Sequence, residues 1–242
     1  MTAPKMIIFD YGGTLLYEPD SDWLCPEFEL FKHIVKNPYN KTPKDLFEFN
    51  GRIFNESQKA RDDEFELHHF QMLRMKYEFW GIELDIPWSK VEEILWDNVS
   101  PMTEKCLMPG VRQMLTELKT RKIRSGVVSN MGWSGAALKR RINTLLPENQ
   151  FEFIITSSEY GYRKPNELLF QLALNKAGLD AKDVWFVGDT FKMDVIGSHK
   201  AGLYPVFYQG EPDNSNELRR KPVSETVDFE YKTIKHWNEL FS

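Results

Sequence analysis

The chain has 242 residues, 41% of them hydrophobic and 14% aromatic, enough for one large domain or for a core carrying an inserted second domain. Its net charge is −5 and its longest basic run is Lys139-Arg140-Arg141, which argues against nucleic acid or an anionic membrane surface as the main partner. Cys25 and Cys106 show no metal-ligand spacing, no apolar run approaches membrane-spanning length, and Met1-Thr2-Ala3-Pro4-Lys5 lacks the marks of a signal peptide, so a soluble, cytoplasmic protein is expected.

The first element is the apolar run Met6-Ile7-Ile8-Phe9, which stops at Asp10-Tyr11-Gly12-Gly13-Thr14. A continuous apolar run of this length reads as a buried strand at the centre of a parallel sheet. Ligands in open α/β sheets bind outside the carboxyl ends of the strands, where Asp10 stands. The pattern then changes. From Glu18 to Val99 apolar residues recur at helical spacing, and about four helices are expected: 26–35, one starting at Thr42-Pro43-Lys44-Asp45, 65–80 and 87–99. Thr42 is the expected N-cap of the second, with Asp45 completing a capping box and Pro43 in the first turn. No strand is expected in this stretch.

Ser100-Pro101 and Pro109-Gly110 punctuate the return to alternating elements. A helix over 111–118, a strand over 125–128 ending in Ser129-Asn130, a helix over 136–146 and a strand over 153–156 follow. Next come a helix from Pro165 to Ala177, with proline in its first turn and Gly178 after its end, and a strand over 184–187 ending in Gly188-Asp189. A short helix ends near Ala201-Gly202, a strand covers 204–208, and 225–240 holds a last strand and helix. Alternation of this kind predicts an α/β fold with a parallel sheet and helices on both faces. The expected organisation is a core of residues 1–17 and 101–242 with a helical insertion at 18–100.

Three strands end in chemistry-bearing residues: Asp10, Ser129 and Asp189. Lys164 precedes a proline, and Asp194 lies five residues beyond Asp189. Three carboxylates brought together repel one another unless a cation joins them, and hard oxygen ligands suit Mg²⁺. A lysine and a hydroxyl beside them suit a phosphoryl group.

These four motifs, in this order, resemble those of the haloacid dehalogenase (HAD) superfamily of hydrolases. The first motif is Asp10-Tyr11-Gly12-Gly13-Thr14, the second Ser129, the third Lys164-Pro165 and the fourth Gly188-Asp189 with Asp194. The resemblance covers Met6 to Thr14 and about Met108 to Tyr208. It implies a HAD-like Rossmannoid core with an inserted α-helical cap domain, and a Mg²⁺-dependent phosphatase acting on a small phosphorylated metabolite. By the same resemblance Asp10 is the expected nucleophile, forming an aspartyl phosphate. Asp10, Asp189 and the Gly12 carbonyl are the expected metal ligands, and Asp194 completes the metal site or holds Lys164. Ser129 and Lys164 grip the phosphoryl oxygens, and Thr14 orients Asp10.

The sequence departs from the pattern at Gly12, where phosphatases of the superfamily carry a second aspartate that protonates the leaving group. A replacement acid such as Glu18 or Asp20, an activated substrate, or different chemistry would each accommodate the change. A phosphonatase-like reading would draw on an insert lysine among Lys32, Lys36, Lys44, Lys59 and Lys76. A weak or inactive binder of phosphate ligands is a further alternative. Dehalogenation needs no metal, and the retained Asp189 and Asp194 argue against it.

Other features carry less. His68-His69 point about 100° apart on a helix and suit packing better than metal binding. Lys139-Arg140-Arg141 is read as a solvated helix face. Arg52 and Arg61 could reach substrate from the insert. Trp23, Trp80, Trp88 and Trp96 are expected to pack the insert's interior.

Overall fold

The computed structural model describes residues 3–18, 21–99, 102–212 and 225–242. Asp20, the Ser100-Pro101 punctuation and the boundary at 100–101 lie outside the described residues. The core is a six-stranded sheet of order β5-β4-β1-β6-β7-β8, every neighbouring pair parallel. Its strands are β1 (Met6–Phe9), β4 (Arg124–Ser129), β5 (Phe151–Thr156), β6 (Val184–Gly188), β7 (Tyr204–Tyr208) and β8 (Lys232–Ile234). Numbered within the core alone, this is the doubly wound order 3-2-1-4-5-6, with β1 at the point where the winding reverses.

The apolar run of β1 is buried on both faces because it separates two cores. Ile7 and Phe9 face the side covered by helices α5 (Val111–Arg121) and α6 (Gly135–Leu145), through Met114, Leu118, Leu138 and Ile142. Met6 and Ile8 face α8 (Glu167–Ala177), which follows the one-turn α7 (Ser157–Tyr160), through Leu169, Phe170 and Ala173. Strand periodicity alone produces this split, since successive side chains point to opposite faces.

Between β1 and β4 lie helices α1 (Cys25–Phe31), α2 (Pro43–Asp62), α3 (His69–Phe79) and α4 (Trp88–Val99). They share a cluster of Leu30, Leu46, Leu73, Tyr77, Val91, Leu95 and Trp96, which also takes in Trp133 and Ala137 from the β4–α6 region. The capping box at Thr42 forms as expected, with the Asp45 N–H donating to the Thr42 hydroxyl and the Thr42 N–H to the Asp45 carboxylate.

Four sequence expectations are corrected. The first helix ends at Phe31, and Ile34–Lys36 forms β2, paired antiparallel with β3 (Glu83–Leu84), so the insert does contain strands. Its β-branched Ile34 and Val35 suit extended backbone, and Lys36 pairs with Glu83 at 2.5 Å across the ladder. The third helix starts at His69, not Phe65. Residues 64–66 instead lie along the β5–α8 connection, with Glu64 in a left-handed turn, Phe65 bridged to Tyr162, and the Glu66 N–H bonded to Gly161 O and the Arg163 N–H to Glu64 O, both at 2.9 Å. His68 then caps α3, its Nδ1 accepting from the Phe70 N–H. Pro165 stands outside α8, whose N-cap is Asn166; the Lys164–Pro165 peptide is cis. Finally, Arg141 is buried, its guanidinium lying over Trp96 and near Glu18, while Arg140 pairs with Asp97 of α4. A guanidinium stacks on an indole better than an ammonium does, so part of this basic run serves packing.

Candidate active site

Asp10 ends β1, its N–H bonded to Val187 O of β6 at 2.8 Å. The chain then turns tightly: the Gly13 N–H reaches Leu16 O at 2.7 Å, and both Leu15 and Leu16 donate back to Tyr11 O. Gly13 has φ +71°, a left-handed conformation that disfavours any side chain. Gly12 is exposed, and a Cβ built there meets no atom within 4 Å.

Asp189 follows β6, and Asp194 lies on the turn of helix after it. Oxygen atoms of Asp10, Asp189 and Asp194 all fall within 4.8 Å of one another. Gly188 makes this approach possible, since a Cβ there would sit 2.3 Å from the Asp194 carboxyl carbon. The Lys164 ammonium, buried between two of these acids, donates to Asp10 Oδ1 at 2.8 Å and to Asp194 Oδ1 at 2.7 Å. The second Asp194 oxygen accepts from the Thr190 N–H at 2.8 Å. Burial pushes the Lys164 ammonium toward losing its proton, but Asp10 and Asp194 outweigh it and raise its pKa. Burial raises the Asp194 carboxyl to about 6 against the pull of Lys164, and the charge of Asp10 adds to the rise.

Ser129 closes β4 and is buried. The structure therefore brings Asp10, Asp189, Asp194 and Lys164 together and sets Ser129 at the end of the strand beside β1. Thr14 differs from expectation. Its hydroxyl is buried with no hydrogen-bond partner among the described residues, so Asp10 takes its orientation from Lys164. Glu18 accepts from the Tyr11 hydroxyl at 3.1 Å and faces Arg141; burial raises its pKa.

Sequence reasoning gave no role to Asn130. Its side chain accepts from the Lys164 N–H at 2.7 Å and donates to Lys164 O at 2.9 Å, clamping the lysine's backbone to the loop after β4. The signal was its position directly after Ser129. The loop is held from the insert as well. Glu92 of α4 accepts from both the N–H and hydroxyl of Ser134, and the Glu66 carboxylate accepts from the Ser157 hydroxyl, which in turn accepts from the Met131 N–H. Arg61 is committed to Glu66 at 3.0 Å.

The donor set suits a hard divalent cation. Three carboxylates face one ammonium, and the excess negative charge matches the oxygen-rich environment Mg²⁺ prefers. Among the described residues, no helix is long and apolar enough to cross a membrane.

Known proteins resemble this chain to differing extents. A pyrimidine 5′-nucleotidase of Escherichia coli is 31% identical over 135 residues, 55% of this chain and 57% of that protein. A glyceraldehyde 3-phosphate phosphatase of Methanothermobacter thermautotrophicus is 30% identical over 105 residues, 43% of this chain and 45% of that protein. The matches thus span about half the length of these relatives. A solved HAD phosphatase from Thermococcus onnurineus shares the fold over 99% of this chain and 96% of its own, with TM-score 0.58 and 19% identity. The HAD-hydrolase YfnB of Bacillus subtilis, solved with magnesium bound, does so over 99% and 98%, with TM-score 0.56 and 18% identity. A family model of haloacid dehalogenase-like hydrolases matches residues 4–202, and the chain belongs to that family.

Proposed function

We propose that the protein is a Mg²⁺-dependent phosphatase of small phosphorylated metabolites, with residues 18–100 acting as a cap over the site. The observation that carries this reading is the cluster of Asp10, Asp189 and Asp194 around the buried Lys164 ammonium. The names of the relatives, both phosphate-releasing enzymes, support the substrate class. Asp10 is the nucleophile: Lys164 holds its Oδ1, leaving the other oxygen to attack phosphorus and form an aspartyl phosphate that water hydrolyses. Lys164 and Ser129 hold the transferring phosphoryl oxygens, whose charge must be stabilised as it develops. Both Asp194 oxygens already accept from the protein, so Asp194 positions Lys164. Asp10, Asp189 and the Gly12 carbonyl would hold Mg²⁺, which supplies charge neutralisation and orientation at the phosphoryl group.

The insert lysines do not favour the phosphonatase-like reading. Lys32, Lys36 and Lys59 pair with glutamates at the surface, Lys44 is exposed, and the buried Lys76 is bound to Glu27. The test is phosphate release from acetyl phosphate and p-nitrophenyl phosphate with Mg²⁺ or EDTA. Wild type should release phosphate only with Mg²⁺, Asp10→Asn should fall to the blank, and Mg²⁺ should raise the melting temperature of wild type but not of Asp189→Asn. Equal release by wild type and Asp10→Asn would overturn the reading.

A further inference from the structure

A cavity of about 360 Å³ lies among all four helices of the insert and ends at Trp133. Its walls are mostly apolar, with aromatic faces from Trp23, Phe47, Phe54 and Trp133. A volume near 300 Å³ is the lower end of what small-ligand pockets occupy. The cavity is tied to the phosphoryl site through one loop. Trp133 is four residues beyond Ser129, and His69 bridges the cavity to the same loop. The His69 N–H donates to Gly132 O at 2.7 Å, and its ring meets Trp133 edge-on at 4.6 Å. A Cβ on Gly132 would sit 2.4 Å from His69 Nε2, so glycine makes room for the imidazole. That Nε2 is buried and has no hydrogen-bond partner among the described residues.

The second observation is Gly12. With no side chain there, the leaving group departs without a proton from that position. A phenol, with pKa about 10 as in tyrosine, leaves as an anion far more readily than a hydroxyl near 16, the value for water. The two observations converge. Resting on the phosphatase reading above, we propose that the insert cavity receives the leaving group and that this group is aromatic, the substrate being an aryl phosphate monoester. Asp10 forms the new P–O bond as the P–O(aryl) bond breaks. The aryloxide leaves with that electron pair and takes its proton from water. Burial and the charge of Arg61 hold the His69 pKa near 3, so the ring is neutral and adds no charge to the apolar wall.

The test compares kcat/KM for 1-naphthyl phosphate, glucose 6-phosphate and acetyl phosphate. Naphthyl phosphate should exceed glucose 6-phosphate by about 10²-fold or more, the lower end of what a missing general acid costs. Gly51 lines the cavity from exposed helix, and a Cβ there meets nothing within 4 Å, so Gly51→Phe fills the space without a clash at Cβ. It should lower the naphthyl-to-acetyl ratio by about tenfold. Quenching of tryptophan fluorescence by 1-naphthol reads occupancy without catalysis and should weaken equally in Gly51→Phe. Turnover of acetyl phosphate with naphthyl phosphate no better than glucose 6-phosphate would overturn the aryl proposal and leave phosphoryl transfer standing. Loss of all three activities with naphthol binding retained would overturn the phosphatase reading instead. Identical naphthol binding by wild type and Gly51→Phe would remove the cavity as a ligand site.

Discussion

At the carboxyl edge of the sheet, Asp10, Asp194 and Lys164 are bound to one another or to backbone, and the Asp189 carboxylate is crowded against the other two acids. In the insert, a cavity walled by Trp23, Phe47, Phe54 and Trp133 is mostly apolar. The first region is built for charge, and its residues are fixed by where strands end. The second is built for shape, and its residues are fixed by how helices pack. On the reading proposed above, the contrast separates how easily the leaving group must depart, a matter for Gly12 at the strand edge, from what shape it has, a matter for the insert.

Gly12→Asp tests that separation with the largest expected effect. There is room for the side chain, and an added acid should raise turnover of alkyl phosphates by about 10²- to 10⁴-fold, with acetyl phosphate little changed. No gain on alkyl phosphates would mean that Gly12 does not limit the choice of leaving group.

Lys164→Met removes the one cation bonded to Asp10 and Asp194 among the described residues and should cost about 3–5 kcal/mol in urea unfolding, since it strands two buried carboxylates. Added Mg²⁺ should recover part of the loss. A cost below about 1 kcal/mol, as for a surface pair, would show the cluster to be better solvated than its burial implies.

On the insert side, His69 sets a pH dependence. Its folded pKa is near 3 and its unfolded value about 6.5, so the unfolded chain binds the proton first as pH falls. Stability is full above pH 6.5 and is lost between 6.5 and 3, by about 2 kcal/mol at pH 5. His69→Leu should flatten the melting temperature across that window relative to wild type. The smallest effect is Gly51→Ala, which should stabilise the exposed middle of α2 by about 0.5–1 kcal/mol without filling the cavity.

Much of the core was legible because its signals are local. An apolar run ending in Asp10, a strand ending in Ser129 and the spacing from Asp189 to Asp194 each depend on a few neighbouring residues and on strand periodicity. The capping box at Thr42 is local too, and it formed as read. What failed was non-local. Ile34 and Val35 left the helical pattern to pair with residues near 84, and Phe65 and Glu66 left it to run along residues 161–163. Arg141 was read as solvated because its neighbours in sequence are charged, whereas Trp96 and Glu18 come from elsewhere in the chain.

By itself the sequence determined the parallel sheet, the helical insert after its first strand, and the identity of the charged groups at the strand ends. Hydrophobic periodicity and side-chain chemistry are properties of short segments. Only the tertiary structure decided that Lys164 bridges Asp10 and Asp194, that Asn130 clamps Lys164, and that His69 and Trp133 close one end of an aromatic cavity. Each of these joins residues thirty or more positions apart in the chain. Such contacts depend on how strands and helices stack, which no local pattern encodes.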